Sequence, residues 1–158
     1  SQIQSFGLAF LIISLIMFGI FGSVKLGLVA ILPNTFPMLT VFGLMGWLDF
    51  NLDITTLMTA PIIIGIAVDD TIHFITHYRL SLLKGASISE AIHATLHEVG
   101  QAIIFTTLIL MSIFLFFIPV SHVGVSRFSI LAVIAVFSAL LADLFLLPAL
   151  CRVLRVRV

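Results

Sequence analysis

Charge is nearly absent from this chain. Seven Lys and Arg and seven Asp and Glu make up 9% of its 158 residues, whereas 61% are hydrophobic, 15 residues are Phe, and the mean hydropathy is +1.33. That excludes an ordinary soluble domain, in which roughly 25% of residues are charged. Cysteine is limited to Cys151, so neither an internal disulfide nor a thiolate metal centre can be read from the sequence. A lone thiol near a helix end is expected to be inert. The chain opens on Ser1 and runs straight into an apolar segment, with no basic stretch or small-residue cleavage site ahead of it. It therefore does not read as a signal peptide, and a piece of a larger protein is expected.

What is present in abundance is long apolar runs. A helix of about 20 residues crosses a hydrocarbon core of about 30 Å. Five windows meet that length, at about residues 3–22, 26–47, 54–76, 101–118 and 128–148. The expected fold is all-α: a single integral membrane bundle of five transmembrane helices. Basic residues near span ends stay on the cytoplasmic side. Lys25, Arg79, Lys84, Arg152, Arg155 and Arg157 fall on one side of this layout and Arg127 alone on the other. This puts the N-terminus and the Asp49–Asp53 loop outside, and the C-terminus inside.

Between the third and fourth windows, Ser87-Ile88-Ser89-Glu90 has the S-x-x-E spacing of a capping box. A helix over about 87–99 should follow. Ile88, Ala91, Ile92, Leu96 and Val99 recur at helical spacing, so this helix is expected to lie along the inner membrane surface as an amphipathic connector. In the second window Pro33, Asn34 and Pro37 should bend or open the helix. In the fifth, Ala132, Ala135, Ala139 and Ala142 form a stripe of small residues suited to close helix contact.

The chemistry centres on two adjacent acids, Asp69 and Asp70, inside the third window. An ionisable group at that depth costs about 3 kcal/mol unless paired, hydrated or protonated, and by default it marks an ion or proton pathway. Two poorly hydrated neighbouring carboxylates resist joint ionisation, so one is expected to bind a proton. Asp70, His73 and His77 share a helical face, and Asp69 precedes His73 by four residues. His73 is a relay candidate; His77, beside Arg79, reads better as an interfacial residue. Thr106 and Thr107 on the fourth span are candidate hydroxyl donors to the carboxylates, although Thr also bonds its own helix backbone. Asp143 lies nine residues before Arg152, which suggests packing or snorkelling rather than proton carriage. His73/His77 and His93/His97 have the i, i+4 spacing of metal ligands, but the Glu of H-E-x-x-H and a third ligand are missing, so no metal is expected.

Taken together, Gly65-Ile66-Ala67-Val68-Asp69-Asp70-Thr71-Ile72-His73-Phe74, the Tyr78-Arg79 end, the Ser-x-x-Glu-Ala helix, Thr106-Thr107, Ala142-Asp143-Leu144 and Leu147-Pro148-Ala149-Leu150 resemble the RND superfamily of transporters. Pro33-Asn34, Pro37, Gly43 and Gly46 fit the same pattern. The likeness is to its lipid and hydrophobe exporter branch, related to mycobacterial large membrane proteins and hopanoid exporters, and the five-helix unit is also similar to a sterol-sensing domain. The resemblance implies two repeats, each with a leading helix, a large extracytoplasmic domain and five further helices, of which this chain would be the last five of the second. It implies proton flow through acids at the Asp69-Asp70 position, a matching threonine at Thr106 or Thr107, and export driven by the proton motive force with no cofactor and no enzymatic activity. Expected partners are membrane lipids and the other repeat and extracytoplasmic domains of the same protein, with a homo-oligomer and a periplasmic partner left open and no nucleic acid. No intramembrane Lys occurs here, so such a partner for the acids would come from outside this chain. A bacterial inner membrane is implied. The alternative reading is a sterol-sensing-like module that binds lipid or regulates without transport.

Overall fold

The computed structural model describes residues 2–50 and 54–155. Helices make up almost all of it: α1 (Gln2–Phe21), α2 (Val24–Trp47), α3 (Ile54–Leu83), α4 (Ile88–Phe117), α5 (Val123–Leu141), a π-helical turn (Ala142–Leu146) and α6 (Leu147–Val153). The last three run on as a single rod. Part of the expected acidic loop, 51–53, lies outside the described residues.

Among the described residues, three helices are long and apolar enough to cross a membrane: α2, α4 and the Val123–Val153 rod. The described apolar part of α1 is shorter, Gly7–Phe21. α3 spans 30 residues, but Asp69, Asp70, His73, His77 and Arg79 dilute its apolar character. The fold is thus all-α and membrane-integral, with three clear apolar spans rather than the five read from the sequence.

The expected surface helix over 87–99 is not a separate element. Its start is as anticipated, since the Glu90 N–H donates to Ser87 Oγ (3.3 Å) and the Ser87 N–H donates to Glu90 Oε2 (2.8 Å). From there the helix continues without a break to Phe117. The residue that separates the two windows, Gly100, costs a helix only about 1 kcal/mol, and it is buried against Leu144. Ala91, Ile92, Thr95, Gly100, Ile103 and Thr107 then form one buried stripe along the whole helix. α3 likewise overruns its expected end at residue 76 and reaches Leu83. At about 1.5 Å per residue both helices are about 45 Å long, so they project beyond the hydrocarbon core. Likewise α2 stays helical through Pro33 and Pro37.

Two apolar clusters hold the bundle. One joins Met17, Phe21, Leu26, Phe74, Tyr78, Ile92, Leu147 and Cys151, and the other joins Val41, Met45, Ile63, Leu131 and Ala135. The first belongs to the end that carries Lys25, Arg79 and Arg152. There the α1–α2 turn uses Gly22 at φ +59°, a left-handed conformation that glycine adopts without steric cost. Arg79 Nη1–H donates to the carbonyl of Phe21 at 2.9 Å, placing a cation on the negative end of α1. The exceptional Arg127 sits at the other end, 5.1 Å over the Phe50 ring, a cation–π contact.

α1 approaches α2 closely at Gly27, which is buried, and a Cβ there would fall on the ring of Phe18. Gly27→Ala is expected to destabilise the bundle by about 1–3 kcal/mol, read as a lower melting temperature in detergent. Gly43→Ala, whose Cβ would meet nothing within 4 Å, should leave that temperature unchanged or slightly raised.

Candidate functional site

Along α2, α3 and the α5–α6 rod, polar residues fall between the two apolar clusters. Asn34 lies between Ala30 and Val41, Asp70 and Thr71 between Ile63 and Phe74, and Asp143 between Ala135 and Leu147. Asn34 is 3% exposed, and its Nδ2 donates to the Ala30 carbonyl at 2.8 Å. The polar layer lies near the middle of α3, the expected depth for a proton site.

Asp69 and Asp70 occupy adjacent positions, about 100° apart around the helix, and their surroundings differ. Asp69 is exposed and has His73 Nε2 at 3.6 Å. That is too long for a good hydrogen bond. Asp70 is half-buried. Both line a cleft of about 700 Å³ between α3 and α4, walled by Ile62, Ile66, Ile109 and Leu110, with Thr106 across from the acids. The Thr106 hydroxyl donates to its own backbone, the Ile103 carbonyl, at 3.0 Å. Thr107 lies on the buried stripe of α4 and is 2% exposed, outside this cleft. Of the five candidate residues, the fold therefore brings Asp69, Asp70 and Thr106 to one cleft, attaches His73 through Asp69, and turns Thr107 into the core.

The side chain that does donate to a carboxylate was not among the candidates. Thr71 Oγ1–H donates to Asp143 Oδ1 at 2.7 Å, and both residues are buried, at 0% and 1% exposure. Asp143 does not snorkel toward Arg152. Its position on the π turn explains this: Pro148 has no N–H for the Leu144 carbonyl and its ring crowds that carbonyl, so the helix widens and the Leu147 N–H reaches back to Ala142. π turns inside α-helices recur at functional sites. Thr71 directly follows the acid pair, which was the available sequence signal; its partner lies 72 residues away.

His77 is tied across to α4, its Nε2–H donating to Glu98 Oε2 at 2.7 Å. This contact fastens α3 to α4. Among the described residues no three His, Cys, Asp or Glu side chains gather where they could hold a metal ion.

Residues 3–156 match the family model described as the AcrB/AcrD/AcrF family. Over 102 residues, 65% of this chain and 12% of the relative, it is 30% identical to the hopanoid transporter HpnN of Burkholderia multivorans. It is 25% identical to the solvent-resistant pump membrane transporter SrpB of Pseudomonas putida, over 90% of this chain and 14% of that one. The chain thus spans only about an eighth of each of these two relatives. In structure it is similar to SecDF, a translocon-associated membrane protein from Thermus thermophilus, with a TM-score of 0.89 at 21% identity over 99% of this chain and 22% of that one, a likeness of fold. With a match along almost its whole length, the chain belongs to the AcrB/AcrD/AcrF family of RND membrane transporters.

Proposed function

We propose that this chain is the proton-translocating transmembrane part of a secondary active exporter of lipids or other hydrophobic molecules. Asp69 and Asp70 bind the proton, and Thr106 and His73 assist them. The observation that carries this reading is the cleft: two acids halfway along α3 open into an apolar groove with one hydroxyl facing them, where an unpaired charge is costly. Thr107 supports the site from the core side of α4. The similarity to a hopanoid transporter favours a lipid-like substrate.

In this reading all five helices cross the bilayer, α1 and α3 included. α3 tolerates its acids because the polar layer and a partner surface cover them. The basic residues Lys25, Arg79 and Arg152 favour a cytoplasmic position for their end of the bundle, and the family likeness favours a bacterial inner membrane. The compensating partner of the exposed Asp69 belongs to the remainder of the transporter, and the substrate path to its extracytoplasmic domains.

The test is whole-cell lipid profiling in a strain lacking the full-length gene, rescued with wild type or with Asp69→Asn plus Asp70→Asn at matched membrane levels. The double variant is expected to leave the hydrophobic substrate accumulated as in the unrescued strain. Full rescue would remove the acids from coupling and favour the lipid-sensing alternative.

A further inference from the structure

A second groove lies at the basic end of the bundle, away from the acids. It has a volume of about 260 Å³ and is formed by the first turns of α4 and by α6: Ser89, Ile92 and His93 on one side, Pro148, Arg152 and Val153 on the other. Its depth follows from helix lengths. α4 and the Val123–Val153 rod both measure about 45 Å and start from the shared turn at 118–122. A bilayer is about 40–45 Å thick with its headgroups and about 30 Å without them. Residues 89–93 and 148–153, at the far tips of both helices, therefore lie at headgroup depth.

The lining is divided by chemistry. Ile92, Pro148 and Val153 are apolar, and Ser89, His93 and Arg152 supply a hydroxyl, an imidazole and a guanidinium. Among the described residues Arg152 has no carboxylate partner, and no carboxylate lines the groove. The neighbouring Glu90 is held by Ser87 and lines a different groove, toward Leu82 and Lys84's turn. With one uncompensated cation and no carboxylate to hold an ammonium group, the groove favours an anion over a zwitterion. The fork of a guanidinium also matches phosphate oxygens.

We propose that this groove binds the headgroup of an anionic phospholipid of the surrounding bilayer, with Arg152 on the phosphate, Ser89 and His93 as further donors, and the apolar wall against the glycerol and first acyl carbons. The site is independent of the proton-coupling reading and stands or falls separately from it.

The test uses the full-length transporter reconstituted in equal parts phosphatidylcholine and phosphatidylglycerol, then released for native mass spectrometry. Wild type is expected to retain phosphatidylglycerol in preference by about fivefold, the effect of one basic group at an anionic surface. Arg152→Gln should abolish the preference. Ala149→Phe, which fills the groove and alters no charge, should abolish it too. Lys84→Gln removes a cation from the same end but outside the groove and should retain it. Undiminished preference in Ala149→Phe overturns the proposal, as does an equal loss in Lys84→Gln, which would mean diffuse surface attraction. If Arg152→Gln does not insert, Ala149→Phe and Lys84→Gln decide between these outcomes.

Discussion

Asp70→Asn in the full-length transporter is expected to reduce proton-coupled transport by about a hundredfold at unchanged membrane abundance. The magnitude follows from the site's energetics. A carboxylate left charged at this depth costs about 3 kcal/mol, and about 1.4 kcal/mol is a factor of ten, so about a hundredfold is the scale of the loss. Asn has nearly the same shape but cannot exchange that proton. Asp69→Asn should cost less, under about tenfold by the same scale, because Asp69 is exposed to the cleft and has His73 beside it, whereas Asp70 is half-buried next to the Thr71–Asp143 bond. Proton flux in proteoliposomes, driven by an imposed pH gradient, measures both variants. Near-normal flux in Asp70→Asn would dismiss it as the carrier.

Thr71→Val is expected to destabilise the folded bundle by about 1–3 kcal/mol, the cost of leaving a buried polar group without its hydrogen-bond partner. The two side chains have similar shape, so packing is preserved and the loss is that of one donor to Asp143 Oδ1. Thr71→Ser keeps the hydroxyl and should lie much closer to wild type. Combining Thr71→Val with Asp143→Leu removes both ends of the bond and should recover part of the loss, because an apolar pair of similar volume leaves nothing unsatisfied. Thermal unfolding in detergent of wild type, Thr71→Val, Asp143→Leu and the double variant closes the cycle. Additive losses would mean that the bond contributes nothing of its own.

Much of the helical frame can be read from single residues. The Gly22–Lys25 turn, the Ser87 cap and the acids halfway along α3 are local signals, and the end of α1 and the starts of α2, α3 and α4 lie within about two residues of where the sequence places them, whereas the end of α3 does not. The continuity of α4 was hidden because the polar residues Glu90, His93, His97 and Glu98 suggest a surface helix, while the stripe Ala91–Thr95–Ile103–Thr107 that buries it against α3 and α5 exists only once those helices are in place. Asp69, Asp70 and Thr106 meet because two long helices pack side by side, which the apolar pattern anticipates. The Thr71–Asp143 bond depends instead on a tertiary contact 72 residues apart, and closeness to Arg152 along the sequence pointed the other way.

The π turn at 142–146 has an angular consequence for everything that follows it. It takes up one residue more than an α-helical turn, so each later residue occupies the direction that its predecessor would have taken in an unbroken α-helix, an offset of about 100°. The buried face of this rod runs through Ala132, Ala135, Ala139 and Ala142 and then through Leu147 and Cys151, whereas an uninterrupted α-helical progression would have led through Leu146 and Leu150. Without the extra residue, Cys151 would point where Arg152 now points. The guanidinium owes its place opposite His93 to a phase shift introduced about 9 Å earlier in the same rod.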